Sequence, residues 1–210
     1  MKKKWILCGI LITLFLIILI SVLMGRELFI DNAIINFIRS FRNPTEGNIK
    51  LIKTITLLGD KYFVAALVVV IATILYFLNQ KKDGYMMVLN LVNIAILNKG
   101  IKYIVRRPRP LDMLIEKDGF SFPSGHSMLS IGVYGFIIFL IWKSNLNKKY
   151  KILYTILISL LILIVGYTRL YLGVHYPSDV IGGYLLTSAY LIIFISYINK
   201  KVYNKSWKKI

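Results

Sequence analysis

The sequence predicts an all-α protein, a bundle of six transmembrane helices with amphipathic interfacial helices between the first and the second. Hydrophobic residues make up 57% of the 210 residues and charged residues only 17%, more apolar surface than a soluble domain of this length can bury. Six long apolar runs follow one another, with clusters of lysine between them. Helices suit these runs because a bilayer core offers the backbone no hydrogen-bonding partners. The length and the lack of internal repeats indicate one domain, residues 1–210.

The first apolar run covers residues 5–24 and follows three lysines. A signal peptide begins in the same way, but residues 22–24 lack the small side chains of a cleavage site. We therefore predict an uncleaved membrane helix. Its Cys8 is the one cysteine of the chain, which excludes an intramolecular disulfide and a thiolate metal cluster.

The segment 27–58 has a different, amphipathic pattern. Apolar residues recur at helical spacing from Ile30 to Phe41, and a second, shorter helix is predicted from Asn48 to Leu58. Helices of this kind lie along a membrane interface. The segment can serve as a lid or ramp for a lipid, or it can simply pack on the bundle.

Five further apolar runs predict the remaining membrane helices. An even number of crossings places both termini on one side, together with the lysine clusters, and this side is predicted to be cytoplasmic. Of the nine acidic residues, only Asp83 falls on that side. The runs cover residues 62–78, 85–105, 127–142, 152–170 and 180–198.

The net charge of +18 does not indicate a nucleic-acid partner. Most lysines sit in short clusters between apolar runs, as the positive-inside bias of membrane proteins requires. The segments 26–61, 106–123 and 173–178 are then left on the outer face of a cell membrane.

The first outer segment with candidate functional residues follows the third helix. Lys102 lies about one turn inside the apolar run, and Arg106, Arg107 and Arg109 come after it, with prolines that stiffen the turn. An unpaired ammonium at this depth is costly and is usually functional. The segment is either an anion site or a snorkelling basic cluster at a helix end.

The second segment is the sequence Pro-Ser-Gly-His at positions 123–126, where the fourth helix begins. Ser124 and Gly125 can offer backbone N–H groups at a helix N-terminus, a favourable place for phosphate oxygens. His126 then lies beside the anion. A histidine at a helix start can also be a cap or an interface residue.

The third segment contains Arg169, His175 and Asp179. The histidine and the aspartate are four residues apart around Pro177, which fits a first helical turn. A carboxylate there can hold one imidazole nitrogen and raise the nucleophilicity of the other. A helix-capping aspartate beside an interfacial histidine is the plainer alternative.

Taken together, the three segments favour a catalytic site. The chain has two histidines, and both fall at outer helix boundaries with Lys102, Arg109 and Arg169. A metal site is poorly supported because no carboxylate cluster accompanies the histidines. We expect no metal and no cofactor.

These segments resemble the three signature motifs of the type 2 phosphatidic acid phosphatase superfamily, the lipid phosphate phosphatases related to vanadium haloperoxidases. The motifs lie within residues 102–179, and the helix layout extends the resemblance over nearly the whole chain. Thr168 stands where the family has serine and keeps the hydroxyl. The matching positions are Lys102, Arg109 and Pro110 for the first motif, Pro123 to His126 for the second, and Arg169, His175 and Asp179 for the third.

The resemblance implies a role for each matching residue. His175 is the implied nucleophile, which forms a phosphohistidine, and Asp179 orients it. His126 protonates the leaving lipid oxygen and later helps to activate water. Arg107 lies outside the motif, so we expect an auxiliary contact at most. The implied ligands of the phosphoryl oxygens are Lys102, Arg109, Arg169, Ser124 and Gly125.

The expected function is a membrane phosphatase whose site faces the extracytoplasmic side. The candidate substrates are a polyprenyl diphosphate carrier, phosphatidylglycerol phosphate and phosphatidate, and recycling of a carrier for cell-wall synthesis is an attractive case. A lipid phosphotransferase of the same superfamily and a non-catalytic binder or transporter of anionic lipids are the alternatives. The sequence does not indicate which oligomeric state the protein has.

Overall fold

A computed structural model describes residues 2–26 and 28–203, and within these ranges the chain forms nine α-helices and no β-strand. The predicted all-α class is confirmed. A 3-10 turn, Leu57–Gly59, connects the third helix to the fourth. The helices are α1 Lys2–Leu23, α2 Phe29–Phe41, α3 Glu46–Thr56, α4 Lys61–Phe77, α5 Lys81–Val105, α6 Gly125–Leu129, α7 Gly135–Lys143, α8 Lys148–Tyr171 and α9 Pro177–Lys201.

The described residues contain five helices long and apolar enough to cross a membrane, where α6 and α7 together count as one. The number is six when α3 and α4, which are bent by 45° at the intervening turn, are taken as one broken span. The predicted helix of residues 62–78 corresponds to α4, which has 17 residues and is short for a crossing on its own. The membrane bundle of the sequence prediction is therefore present.

The helices α6, α7 and α9 form the centre of the bundle. We compare the buried share of residues within the most apolar stretch of each helix. This share is 50% in Gly125–Lys143 and 44% in Pro177–Lys201, but only 11% in α1 and 11% in α5. The outer helices therefore present apolar side chains to lipid, whereas the inner ones pack against protein. The core includes Met87, Ile94, Met128, Val133, Phe136 and Phe194.

A π-helical turn, Ser130–Tyr134, joins α6 to α7. The side-chain amide of Asn90 in α5 donates to the carbonyl oxygen of Gly132 at 2.8 Å. A Cβ atom on Gly132 would lie 1.9 Å from Cδ1 of Ile94. The glycine therefore allows α5 to approach the central helix closely at the widened turn.

A buried ion pair closes the end of the bundle where α5 begins and α7 ends. Lys143 donates to the two carboxylate oxygens of Asp83 at 2.5 and 2.7 Å, and the hydroxyl of Tyr203 also donates to Asp83. Asp83 is only 4% exposed, so this end is held by a compensated buried charge.

Helix α2 is amphipathic, as predicted, although Glu27 at the start of the predicted segment lies outside the described residues. Asp31 and Ile38 are buried against the bundle. Phe29, Phe37 and Phe41 are 87%, 65% and 73% exposed. This arrangement is typical of a helix that rests in a membrane interface.

Candidate active site

The three motif segments meet at the end of the bundle opposite the Asp83 ion pair. Helix α5 ends at Val105 and is capped by Arg106, which has a left-handed backbone (φ 50°). The loop after it carries Arg107 and Arg109. Helix α9 begins with Pro177 at its first turn, which is favourable because a proline there loses no helical hydrogen bond. The left-handed residue and the proline therefore place the ends of α5 and α9 next to the motif residues.

His175 and Asp179 form the centre of the site. Nδ1 of His175 lies 3.3 Å from Oδ2 of Asp179, and both residues are buried. The same carboxylate oxygen accepts the backbone N–H of Tyr176 at 2.9 Å, which fixes the carboxylate in place. The second ring nitrogen, Nε2, lies 3.4 Å from Nη1 of Arg109. The predicted pair is thus formed, with one nitrogen held and the other directed toward a cation.

The surroundings of His175 favour its neutral form. Burial lowers the pKa of His175 well below its usual value, and the positive charges of Arg169, Lys102 and Arg109 lower this pKa further. A neutral imidazole has a free lone pair on one nitrogen. These surroundings therefore leave one nitrogen of the His175 ring unprotonated.

Lys102 and Arg109 point toward the same loop. Nζ of Lys102 donates to the carbonyl oxygens of Phe120 and Ser121 at 2.5 and 3.2 Å. Arg109 donates through Nε to the Gly119 carbonyl at 3.0 Å and through Nη1 to the Val174 carbonyl at 2.7 Å. Backbone carbonyls therefore hold both cations beside His175.

Arg169 is the most deeply buried of the three cations, with 2% of its surface exposed. Its Nη1 donates to the hydroxyl of Thr56 at 2.8 Å, and Thr168 donates to the same hydroxyl at 2.9 Å. Among the described residues, Nε of Arg169 is buried and has no hydrogen-bond partner. An unpaired charged donor is costly, so this N–H is a candidate for a phosphoryl oxygen.

The structure modifies one expectation for Ser124. Its backbone N–H donates to the carbonyl oxygen of Asp179 at 3.0 Å, and its hydroxyl accepts the N–H of Ser127 at 3.4 Å. The backbone N–H expected to face a phosphate is therefore engaged, because this loop packs directly against the start of α9. A contact from Ser124 to phosphate depends on its hydroxyl, whereas Gly125 follows at the first position of α6.

His126 faces the turn between α3 and α4. A Cβ atom on Gly59 would lie 3.2 Å from Cδ2 of His126 and 2.4 Å from Cγ1 of Val165. Gly59 therefore leaves the room that the imidazole occupies. Sequence reasoning did not find this glycine, because no local pattern links position 59 to position 126.

Arg107, for which we expected an auxiliary contact at most, contacts two buried carboxylates. Its guanidinium donates to carboxylate oxygens of Asp31 and of Asp179, each at 2.8 Å. Asp31 was also missed. The sequence did contain a signal for its burial: Asp31 lies on the same helical face of α2 as the apolar residues Ile34 and Ile38.

An apolar groove leads sideways from the site between α4 and α5. Its volume is about 680 Å³, and Lys102 lies among its lining residues. The groove is large enough for part of a lipid chain, and several of its apolar lining side chains, such as Ile96 and Tyr103, are exposed on the outside of the bundle. Its lining includes Ala65, Leu91, Ala95, Tyr103, Phe120 and Leu129.

The profile of the PAP2 superfamily matches residues 66–203. The chain belongs to this superfamily. All the motif positions, from Lys102 to Asp179, fall inside the matched range, so the family prediction is confirmed.

Two curated relatives are named as phosphatases. Phosphatidylglycerophosphatase B of Bacillus subtilis is 38% identical over 135 residues, which cover 63% of this chain and 66% of that protein. Undecaprenyl-diphosphatase of Sulfolobus acidocaldarius is 30% identical over 141 residues, with coverage of 63% and 61%. The chain spans less than two thirds of each of these relatives.

A crystal structure shares the PAP2 fold over nearly the whole chain. It is described as the first transmembrane PAP2-type phosphatidylglycerolphosphate phosphatase from Bacillus subtilis. The TM-score is 0.83 at 29% identity, and the alignment covers 96% of this chain and 98% of the other. The multi-pass membrane architecture is therefore shared with a solved relative.

Proposed function

We propose that the chain is a membrane phosphatase that hydrolyses a phosphomonoester or diphosphate head group of a lipid through a phosphohistidine at His175. The observation that carries the proposal is the buried, neutral His175, held by Asp179 on one nitrogen and surrounded by three cations. The phosphatase names of the relatives support the same reaction class.

In the first step, Nε2 of His175 attacks phosphorus and the bond from phosphorus to the lipid oxygen breaks. His126 gives a proton to the departing oxygen. Asp179 accepts a hydrogen bond from Nδ1 and stabilises the positive charge that develops on the ring. The products of this step are the dephosphorylated lipid and a phosphohistidine.

In the second step, a water molecule attacks the phosphohistidine and His126 takes a proton from it. The nitrogen–phosphorus bond breaks, inorganic phosphate leaves, and His175 is restored. Throughout, Lys102, Arg109 and Arg169 stabilise the negative charge spread over the phosphoryl oxygens, which is the main requirement of phosphoryl transfer.

The apolar groove supports a lipid substrate. Lys102 lines the groove and is also one of the three cations near His175, with Arg109 and Arg169. A lipid whose head group is bound at His175 can therefore place its hydrocarbon chain between α4 and α5. We propose the extracytoplasmic leaflet as the source of the lipid, with polyprenyl diphosphate, phosphatidylglycerol phosphate and phosphatidate as the candidates.

The test is phosphate release from these three lipids in detergent, with a chelator present, for the wild type and for His175→Ala. We expect metal-independent release by the wild type and a loss of at least about a thousandfold in the variant, because the nucleophile is gone. The relative rates on the three lipids rank the substrates.

Lipid binding is measured on the same samples as a control for folding. If His175→Ala binds the lipids and still releases phosphate, the proposed mechanism is wrong. If the wild type binds them and releases none, the site is that of a binder. A phosphorylated acceptor with little free phosphate would indicate a phosphotransferase.

A further inference from the structure

A buried network of charges lies directly behind Asp179. Nη1 of Arg107 donates to Oδ1 of Asp179 at 2.8 Å, and Nη2 donates to Oδ2 of Asp31 at 2.8 Å. The side chains of Arg107, Asp31 and Asp179 are 13%, 5% and 0% exposed. One guanidinium therefore bridges two buried carboxylates from different helices.

Ser178 and Tyr176 complete the network. The backbone N–H and the hydroxyl of Ser178 each donate to Asp31 at 2.7 Å, and Nη1 of Arg107 also donates to the Ser178 hydroxyl at 2.7 Å. The ring of Tyr176 packs on the guanidinium, with 3.9 Å from its centre to Cζ. The start of α9 is thus fixed from α2 and from the loop after α5.

The two oxygens of Asp179 have separate partners. Oδ2 faces His175 and the Tyr176 N–H, whereas Oδ1 faces Arg107. Burial opposes the charge on Arg107, but the carboxylates of Asp179 and Asp31 raise its pKa, so it remains cationic. Without this cation, two buried carboxylates would lie close together uncompensated, which is strongly unfavourable.

We infer that Arg107 and Asp31 are positioning residues for the proposed reaction: they fix the carboxylate of Asp179, and through it the imidazole of His175. The inference rests on the proposed function of His175. Because Asp31 comes from α2, the helix with its phenylalanines exposed on the other face, the alignment of the nucleophile depends on how this interfacial helix docks.

The network is suited to positioning rather than to phosphate binding. Both terminal nitrogens of Arg107 donate to side-chain oxygens, and one of these, Oδ1 of Asp179, belongs to the carboxylate that holds His175. Lys102 and Arg109 donate to backbone carbonyl oxygens instead. Loss of the network is therefore expected to change turnover more than substrate affinity.

The test is steady-state turnover by Arg107→Lys, Arg107→Gln and Asp31→Asn on the lipid phosphate that the wild type hydrolyses fastest. We expect kcat to fall roughly tenfold to hundredfold for Arg107→Gln, with KM within about twofold of the wild type, because misplaced catalytic groups lose rate rather than ground-state binding. Arg107→Lys keeps the charge and is expected to retain more activity.

The double variant Asp31→Asn with Arg107→Gln is expected to be no slower than Arg107→Gln alone, because both changes act through the same carboxylate. The matched control is Asp112→Asn. Arg39 of α2 donates to Asp112 through Nε at 3.0 Å, so this change releases the same helix from the same loop without touching Asp179.

The inference is wrong if Arg107→Gln and Asp31→Asn both keep the wild-type kcat, or if Asp112→Asn lowers kcat as much as they do. The second result would mean that any loosening of α2 has the same effect. Arg107→Lys and Asp31→Asn are mild changes, and their thermal unfolding in detergent verifies that they fold. Full activity of His175→Ala would instead contradict the proposed function itself.

Discussion

The two histidines of the chain allow the charge state of the proposed nucleophile to be measured directly. Burial, and then Arg169, Lys102 and Arg109, hold the pKa of His175 well below its usual value. A lowered pKa means that the ring stays neutral as the pH falls through about 6.5, where an ordinary histidine gains a proton. We expect NMR of histidine-labelled protein to show no protonation of His175 near that pH.

The variant His126→Asn removes one of the two histidine NMR signals and so assigns the other to His175. The pKa of His175 is then compared between the wild type and Lys102→Gln. Removal of one nearby positive charge is expected to move the pKa of His175 upward, toward the ordinary value. If His175 titrates near pH 6.5 in the wild type, neither burial nor the positive charges of Arg169, Lys102 and Arg109 lower its pKa.

At the scale of single residues, the sequence predicted side chains that the structure brings together at one end of the bundle. His175, Asp179 and the cations are spaced in three short motifs, and the structure brings these motifs together. The contact between Asp31 and Arg107 was not predicted, because it joins positions 76 residues apart. Such a pairing depends on how α2 docks, and no local spacing records it.

At the scale of helices, the widened turn Ser130–Tyr134 leads to a prediction on stability. Gly132→Ala places a methyl group 1.9 Å from Cδ1 of Ile94, a fully buried side chain of the core. We expect a loss of about 1–3 kcal/mol in the free energy of unfolding, because overpacking forces neighbouring side chains to move. Thermal unfolding in detergent measures the change.

Two further variants make this prediction specific. Ile94→Val removes Cδ1, so it is expected to recover part of the stability of Gly132→Ala. Gly100→Ala is the matched control in the same helix as Ile94, because nothing lies within 4 Å of its Cβ position. The control should be neutral or stabilising by up to about 1 kcal/mol, from helix propensity alone. Equal loss in Gly100→Ala would contradict the steric explanation.

The helices themselves were largely predictable, since long apolar runs and an amphipathic period determine them. The runs at 85–105 and 152–170 correspond to α5 and α8 with small shifts at their ends. The fourth run, predicted from residue 127, begins two residues earlier and contains the π-helical turn. That turn depends on the amide of Asn90 and on the approach of Ile94, which are tertiary contacts.

At the scale of the whole molecule, the orientation in the membrane is testable with single cysteines. Glu116 and Asn145 are both exposed, at opposite ends of the bundle, and Cys8 is buried and so gives little background. If the site faces outward, an impermeant maleimide labels Glu116→Cys in intact cells and Asn145→Cys only after permeabilisation. The reverse pattern would place the site on the cytoplasmic leaflet.

The groove between α4 and α5 has a kinetic consequence. A lipid whose chain lies there can reach the site and leave it by lateral diffusion, without passing through water. Extraction of a long chain into water costs about 0.8 kcal/mol for each methylene group, so that route is closed. The proposed reaction is therefore two-dimensional: its velocity follows the mole fraction of substrate in the membrane or micelle, and added inert lipid slows it by surface dilution at constant bulk concentration.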